Sequence, residues 1–165
     1  MTARNADSYD LDLHRFPGHL IRRLHQISVA QFAEMLSSHD IDLTPVQYAA
    51  LKAIKANPGV DQASVAGLIA YDKATLGKVI DRLEAKALID RSVSPKDRRA
   101  KQLDLTAAGQ QILDRVQPLV DAVQGEILTG LTKEEQHQFL VLLQKATSAG
   151  NERSRAPMRR PSRKS

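Results

Sequence analysis

The sequence predicts a mainly α-helical domain carrying one small β-hairpin, and three observations support this. Apolar residues recur every three to five positions along most of the 165 residues, the period of helices that bury one face. Aromatic residues make up 4% of a chain that is 42% hydrophobic, so the core must be aliphatic, which favours packed helices over a β-sandwich. One stretch, 88–105, replaces the helical period with two short runs around a charged turn.

The first helix is predicted over Leu13–Ser38, where Phe16, Leu20, Leu24, Ile27, Phe32, Met35 and Leu36 share a face. A second begins at Leu43-Thr44-Pro45-Val46-Gln47-Tyr48. Thr44 caps it, Pro45 fits its first turn, Gln47 closes a capping box, and Leu43 can staple to Tyr48. Asn57-Pro58-Gly59 ends it. Asp61 caps a third helix through Val65, Ala66, Leu68 and Ile69, and after a tight turn at Ala70-Tyr71, Asp72 caps a fourth. That fourth helix has Leu76, Val79, Ile80 and Leu83 on its apolar face, while Lys73, Thr75, Lys78 and Arg82 fall elsewhere and can meet a partner.

Leu88–Val93 and Lys101–Leu105 read as paired strands around the basic turn Ser94-Pro95-Lys96-Asp97-Arg98-Arg99. Thr106 opens a long helix carrying Ile112, Val116, Leu119, Val120, Val123 and Ile127, with Pro118 as its kink site. Thr132-Lys133-Glu134-Glu135 is a capping box for a last helix with Phe139, Leu140, Leu142 and Leu143. The expected plan is an extension at 1–12, a domain at 13–149, and a disordered basic tail at 150–165, which has almost nothing to bury.

Composition removes whole classes of function. The chain has no cysteine, which excludes thiolate catalysis, disulfides and Cys-based zinc sites. His14, His19, His25, His39 and His137 form no H-E-x-x-H pattern; the first three share one predicted helix, a weak metal signal only. There is no Gly-rich phosphate loop, no G-x-S-x-G elbow and no recognisable carboxylate pair, so no enzyme activity and no cofactor are expected. No stretch is long and apolar enough to span a bilayer and no signal-peptide pattern opens the chain, so a cytoplasmic protein is expected.

The net charge of +5 is informative through its placement. Residues 151–165 hold six cations and one anion, so the rest of the chain is neutral, and within that body Lys73–Lys101 holds nine cations against four anions. A local basic stretch in an otherwise acidic body suits contact with a polyanion. The order of elements puts a two-helix reading unit directly before a basic hairpin. One helix fits the DNA major groove and the hairpin tip can reach the backbone or the adjoining minor groove.

At these residues the sequence resembles the MarR family of winged helix-turn-helix regulators. The match rests on Asp97-Arg98-Arg99 followed by Leu105-Thr106 and Gly109, on Leu43-Thr44-Pro45-Val46-Gln47, and on Asp81-Arg82-Leu83-Glu84 with Leu88-Ile89-Asp90-Arg91. It covers about Leu13 to Ala149, and order and spacing together make it specific. The resemblance implies a winged helix-turn-helix lobe at 44–105, with 13–39 and 106–149 forming a homodimerisation region. It also implies Arg99 in the minor groove, Asp97 orienting it and Arg98 on a phosphate, with Lys73, Thr75 and Lys78 toward the major groove and Arg82 nearer the backbone. The partner so implied is a pseudo-palindromic operator in double-stranded DNA. In one respect the chain departs from the family: Ala87 stands where a glycine usually ends the recognition helix, which implies another cap geometry or strain of about 1 kcal/mol.

The family resemblance further implies a repressor released by a small molecule. Asp61-Gln62-Ala63-Ser64 and Ile69 through Thr75 look most like members controlling aromatic-acid breakdown, so an aromatic acid or its coenzyme A thioester is the expected effector. An anionic ligand needs a cation beside an apolar cleft; His19, Arg22 and Arg23 with Tyr48 are the candidates. The rival reading is a sequence-independent architectural DNA binder acting through the basic tail.

Overall fold

The computed structural model describes residues 12–93 and 101–159. A 3-10 turn, Asp12–Arg15, precedes α1 (Pro17–Ser37). The helix starts later than the apolar period predicts because Pro17 holds Phe16 in an extended conformation and itself takes the first helical position. His14 therefore sits in the 3-10 turn, its ring 5.6 Å from that of His19 on α1. Then follow α2 (Pro45–Ala56), α3 (Gln62–Leu68), α4 (Lys73–Ala85), β1 (Ile89–Val93), β2 (Lys101–Leu105), α5 (Ala107–Ile127), α6 (Lys133–Gly150) and a 3-10 turn at Asn151–Arg153.

Local chemistry explains most boundaries. Thr44, Asp61, Asp72, Thr106 and Thr132 each accept the backbone N–H three residues on. In the box that opens α2, Thr44 N–H donates to Gln47 Oε1 at 2.9 Å and Gln47 N–H to Thr44 Oγ1 at 3.3 Å, which makes the buried Gln47 side chain affordable. Three helices end through non-glycine residues in the left-handed region: Asp40 (φ 55°), Ala70 (φ 51°) and Ala87 (φ 54°). At Ala87 the Leu88 N–H returns to Leu83 O (3.0 Å) and the Ala87 N–H to Glu84 O (2.8 Å), the two bonds of a Schellman motif. The alanine therefore adopts the geometry a glycine would take.

β1 and β2 pair antiparallel from Ile89↔Leu105 to Val93↔Lys101. Val60 adds an antiparallel bridge to Leu103, with Gly59 (φ 72°) donating its N–H to Asp104 Oδ1 at 2.8 Å, so the segment before α3 joins the wing sheet. The core lies where α2, α3, α4 and the hairpin meet: Leu51, Ile54, Val65, Leu76, Ile80, Leu83, Ile89 and Leu103 are all at most 1% exposed. Phe32 and Leu36 of α1 and Leu113 and Val116 of α5 close it on the other side. Gly109 permits the hairpin to lie against the start of α5, because a Cβ there would run into the Leu88 carbonyl oxygen. By contrast α6 has no buried residue. α5 continues as one helix through Pro118, the predicted kink site.

The expectation of disorder from residue 150 onward needs correction for 150–159. Gly150 ends α6, and Asn151–Arg159 folds back on α3, where the Arg159 N–H donates to Gly67 O at 2.8 Å. Composition missed this because the segment is held by polar and backbone contacts rather than by apolar burial.

Candidate nucleic-acid interface

The recognition unit is α3, the Ala70–Asp72 turn and α4. Asp72 fixes the start of α4 by accepting both the N–H and the Oγ1–H of Thr75, each at 3.1 Å. These bonds hold the Asp72 carboxyl below the ordinary aspartate range, with a smaller contribution from Arg155. With Leu76, Val79, Ile80 and Leu83 buried, the opposite face of α4 is open. At about 100° per residue, Lys78 lies near the centre of that open face and Arg82 and Thr75 on one flank. Lys73 lies on the other flank, about 160° round the helix from Thr75. The four DNA contacts expected on α4 are thus all exposed but form two groups. Thr75 also serves the cap, which leaves its hydroxyl an acceptor for an outside group.

The acidic residues of α4 are engaged by a residue to which the sequence alone assigns no role. Arg91 on β1 pairs with Asp81 Oδ1 and, at 3.1 Å through Nε, with Glu84 Oε2. One guanidinium thereby engages two carboxylates beside the reading face and offsets one of their two charges, so Lys78 and Arg82 outweigh the charge that remains. The signal was present: an Asp and a Glu three apart near a helix end, then an arginine just beyond the turn. Lys86 is likewise engaged, donating at 2.6 Å to both the carbonyl and the carboxylate of Asp42, and so ties the end of α4 to the α1–α2 connection. The expected wing residues Asp97, Arg98 and Arg99 lie outside the described residues.

The candidates for effector binding fall apart into two places. His19 and Arg22 neighbour each other on α1 (Arg22 Nη2 to His19 Nδ1, 3.4 Å), and Arg23 is exposed beside them. Partial burial first, then the charges of Arg22, His14 and Arg23, hold His19 below the ordinary histidine value. Tyr48 packs 6.1 Å from Phe32 and donates its hydroxyl to Gln117 Oε1 at 2.8 Å, bracing α2 on α5. Burial and the nearby Asp121 raise its hydroxyl above the usual tyrosine value. Ten residues of α1, about 15 Å, separate Arg22 from Phe32.

An apolar cavity of about 530 Å³ lies instead between α1, α5 and α6, lined among others by Leu20, Leu24, Ile127, Phe139 and Leu143. Among the described residues, its one ionisable lining residue is His25. By helical geometry His19, Arg22 and Arg23 lie more than about 120° round α1 from the cavity side. Sequence reading had His25 only as one of three histidines on the first helix; nothing local marks which face of α1 closes a cavity. The far end of α5 lines this cavity, while its first residue follows Thr106, whose hydroxyl donates to Ala87 O at 2.7 Å. One continuous helix thus joins the cavity to the end of α4.

A family model described as the MarR family matches residues 41–100. Among curated proteins, the transcriptional regulator HosA of Escherichia coli O111:H- is 36% identical over 131 residues, covering 79% of this chain and 94% of HosA. Among solved structures, the PcaV transcriptional regulator of Streptomyces coelicolor in complex with its natural ligand superposes with a TM-score of 0.77 at 32% identity, covering 91% of this chain and 99% of PcaV. BpsR of Bordetella bronchiseptica, described in terms of the regulation of its DNA binding by 6-hydroxynicotinic acid, gives 0.75 at 31%, covering 80% and 93%.

Proposed function

The chain belongs to the MarR family of transcriptional regulators, and from that premise we propose that it is a homodimeric repressor that binds a pseudo-palindromic operator and is released by an aromatic acid. It is a regulator and not an enzyme. The observation that carries the reading is the open face of α4, where Lys78 and Arg82 stand exposed while Arg91 engages both acidic neighbours and offsets one of their charges. In this reading 44–105 is the DNA-reading lobe, with Arg99 entering the minor groove, Asp97 orienting it and Arg98 on a phosphate.

Residues 13–39 and 106–149 pair with a second subunit. Support comes from Leu13 and Phe16 ahead of α1 and Val141 and Leu142 on α6, each roughly half exposed and outside the cavity, and from the lack of any buried residue in α6. So much apolar surface on two elements suits a partner of the same kind.

The effector is a free acid rather than a coenzyme A thioester. Among the described residues no lysine or arginine lines the cavity to meet a thioester's phosphates, and the His25 imidazole is left to meet a single carboxylate. The relatives' descriptions point the same way, with 6-hydroxynicotinic acid regulating DNA binding by BpsR. Such work belongs in the cytoplasm.

The test is a titration at near-physiological salt of the DNA upstream of the chain's own gene and an unrelated duplex of equal length, with and without aromatic acids and their thioesters. Tight binding to the first duplex alone, relieved by a free acid, is expected, and Arg99→Ala should weaken it by roughly 1–3 kcal/mol with the dimer intact. Equal binding to both duplexes, indifferent to every compound, would instead support an architectural DNA binder.

A further inference from the structure

The C-terminal segment is built onto the recognition unit. Asn151 closes it into a loop: its Oδ1 accepts the Met158 N–H at 2.7 Å and its Nδ2 donates to Met158 O at 3.2 Å. Arg159 makes a two-pronged pair with Glu152, at 2.6 and 2.8 Å, and its backbone N–H reaches Gly67 O in the middle of α3. This approach depends on the glycine. A Cβ at Gly67 would meet Arg159 Cβ at 2.9 Å and Arg159 O at 3.4 Å, and outside α3's own backbone its nearest neighbours all belong to Arg159.

Between the loop and the recognition unit is a cleft of about 590 Å³, whose polar lining includes Ser64, Tyr71, Asp72, Lys73, Arg155 and Arg159. Glu152 offsets the charge of Arg159, and Asp72 is occupied with the cap of α4. Lys73 is exposed, and Arg155, 88% exposed, comes no nearer than 4.0 Å to Asp72.

In a helix-turn-helix the first helix crosses the phosphate backbone and the start of the second enters the groove, so this cleft opens where a DNA strand passes. Building on the DNA-binding reading above, we propose that Asn151–Arg159 is a third, docked DNA contact. With α3 and the start of α4 it forms a phosphate-binding cleft whose cations are Lys73 and Arg155. It explains why Lys73 stands apart from Thr75, Lys78 and Arg82: it serves the backbone beside the groove. The opposite role, a cover that keeps DNA out, would call for an acidic segment over a basic face, whereas residues 151–165 carry six cations and one anion.

The experiment compares wild type, Arg155→Ala, Gly67→Ala, Asn151→Ala and the chain ending at Gly150, each verified as folded by its thermal melt. They are titrated at 50 and 200 mM salt against a duplex that the wild type selects from a random pool. Gly67→Ala and Asn151→Ala keep every charge and only undock the loop. One lost phosphate contact reduces the ratio of Kd at 200 mM to Kd at 50 mM by about 3.5-fold. That reduction is expected for Arg155→Ala and, at least as large, for the undocked and shortened chains, with the selected sequence still preferred. Wild-type affinity and salt response in both undocked variants, with loss only on shortening, would overturn docking in favour of a loose polycation. Tighter binding by the undocked or shortened chains would overturn it in favour of a cover. A wild type that selects no duplex would overturn the DNA-binding reading itself, a result separable from all of these.

Discussion

Replacing Ala87 by glycine should stabilise the fold. Ala87 holds φ 54° at the end of the recognition helix, and a left-handed conformation costs an L-residue roughly 1–2 kcal/mol. Glycine avoids that cost but gives the unfolded chain more freedom, which takes back about 0.4–1 kcal/mol. The alanine methyl is exposed, so no packing is lost, and the backbone bonds to Leu83 and Glu84 persist. The net gain is about 0–1.6 kcal/mol, centred near 0.8 kcal/mol, and that central value in a chain of this size raises Tm by about 2–3 °C. The assay is thermal unfolding at one fixed chain concentration, because association would otherwise shift Tm by mass action. Ala87→Val, a β-branched residue in the same conformation, should move Tm the other way. A lowered or unchanged Tm for Ala87→Gly would refute the argument that this position is strained.

At Gly109, helix propensity and packing predict opposite signs. Propensity favours alanine by about 1 kcal/mol, but the added methyl would meet the Leu88 carbonyl and, at 2.9 Å, Leu105 Cδ1. Overpacking against backbone should win, so Gly109→Ala is expected to destabilise by about 1–3 kcal/mol in a denaturant titration. Asp72 ties stability to acid pH. Its carboxyl is held low by the Thr75 N–H and hydroxyl, so its contribution is present above the unfolded aspartate pKa near 4 and fades as pH falls through the lower folded value. Asp72→Asn keeps the cap but cannot titrate, so Tm at pH 7 should be little changed and the loss of Tm below about pH 4 shallower than in wild type; an unchanged acid limb would mean other groups set it.

The sequence by itself determined the elements, because their signals are local. Thr44 with Gln47 and Thr132 with Glu135 close capping boxes within four residues, and Asp61, Asp72 and Thr106 cap their helices within the same reach. The apolar spacing of Leu76, Val79, Ile80 and Leu83 was enough to say which side of α4 is buried. The family could also be read from residue order, since motif spacing survives in one dimension.

The tertiary structure alone decided which distant residues meet. Arg91 engages both Asp81 and Glu84 only because the hairpin folds back along α4. His25, and not His19 or Arg22, lines the cavity because packing against α5 and α6 selects one side of α1. Val60 bridges Leu103, and Arg159 reaches Gly67, across separations at which no periodic signal operates. Gly67 illustrates the physical reason. In the sequence it reads as a weak point in a short helix, and only the approach of a segment ninety-two positions later gives its missing side chain a purpose.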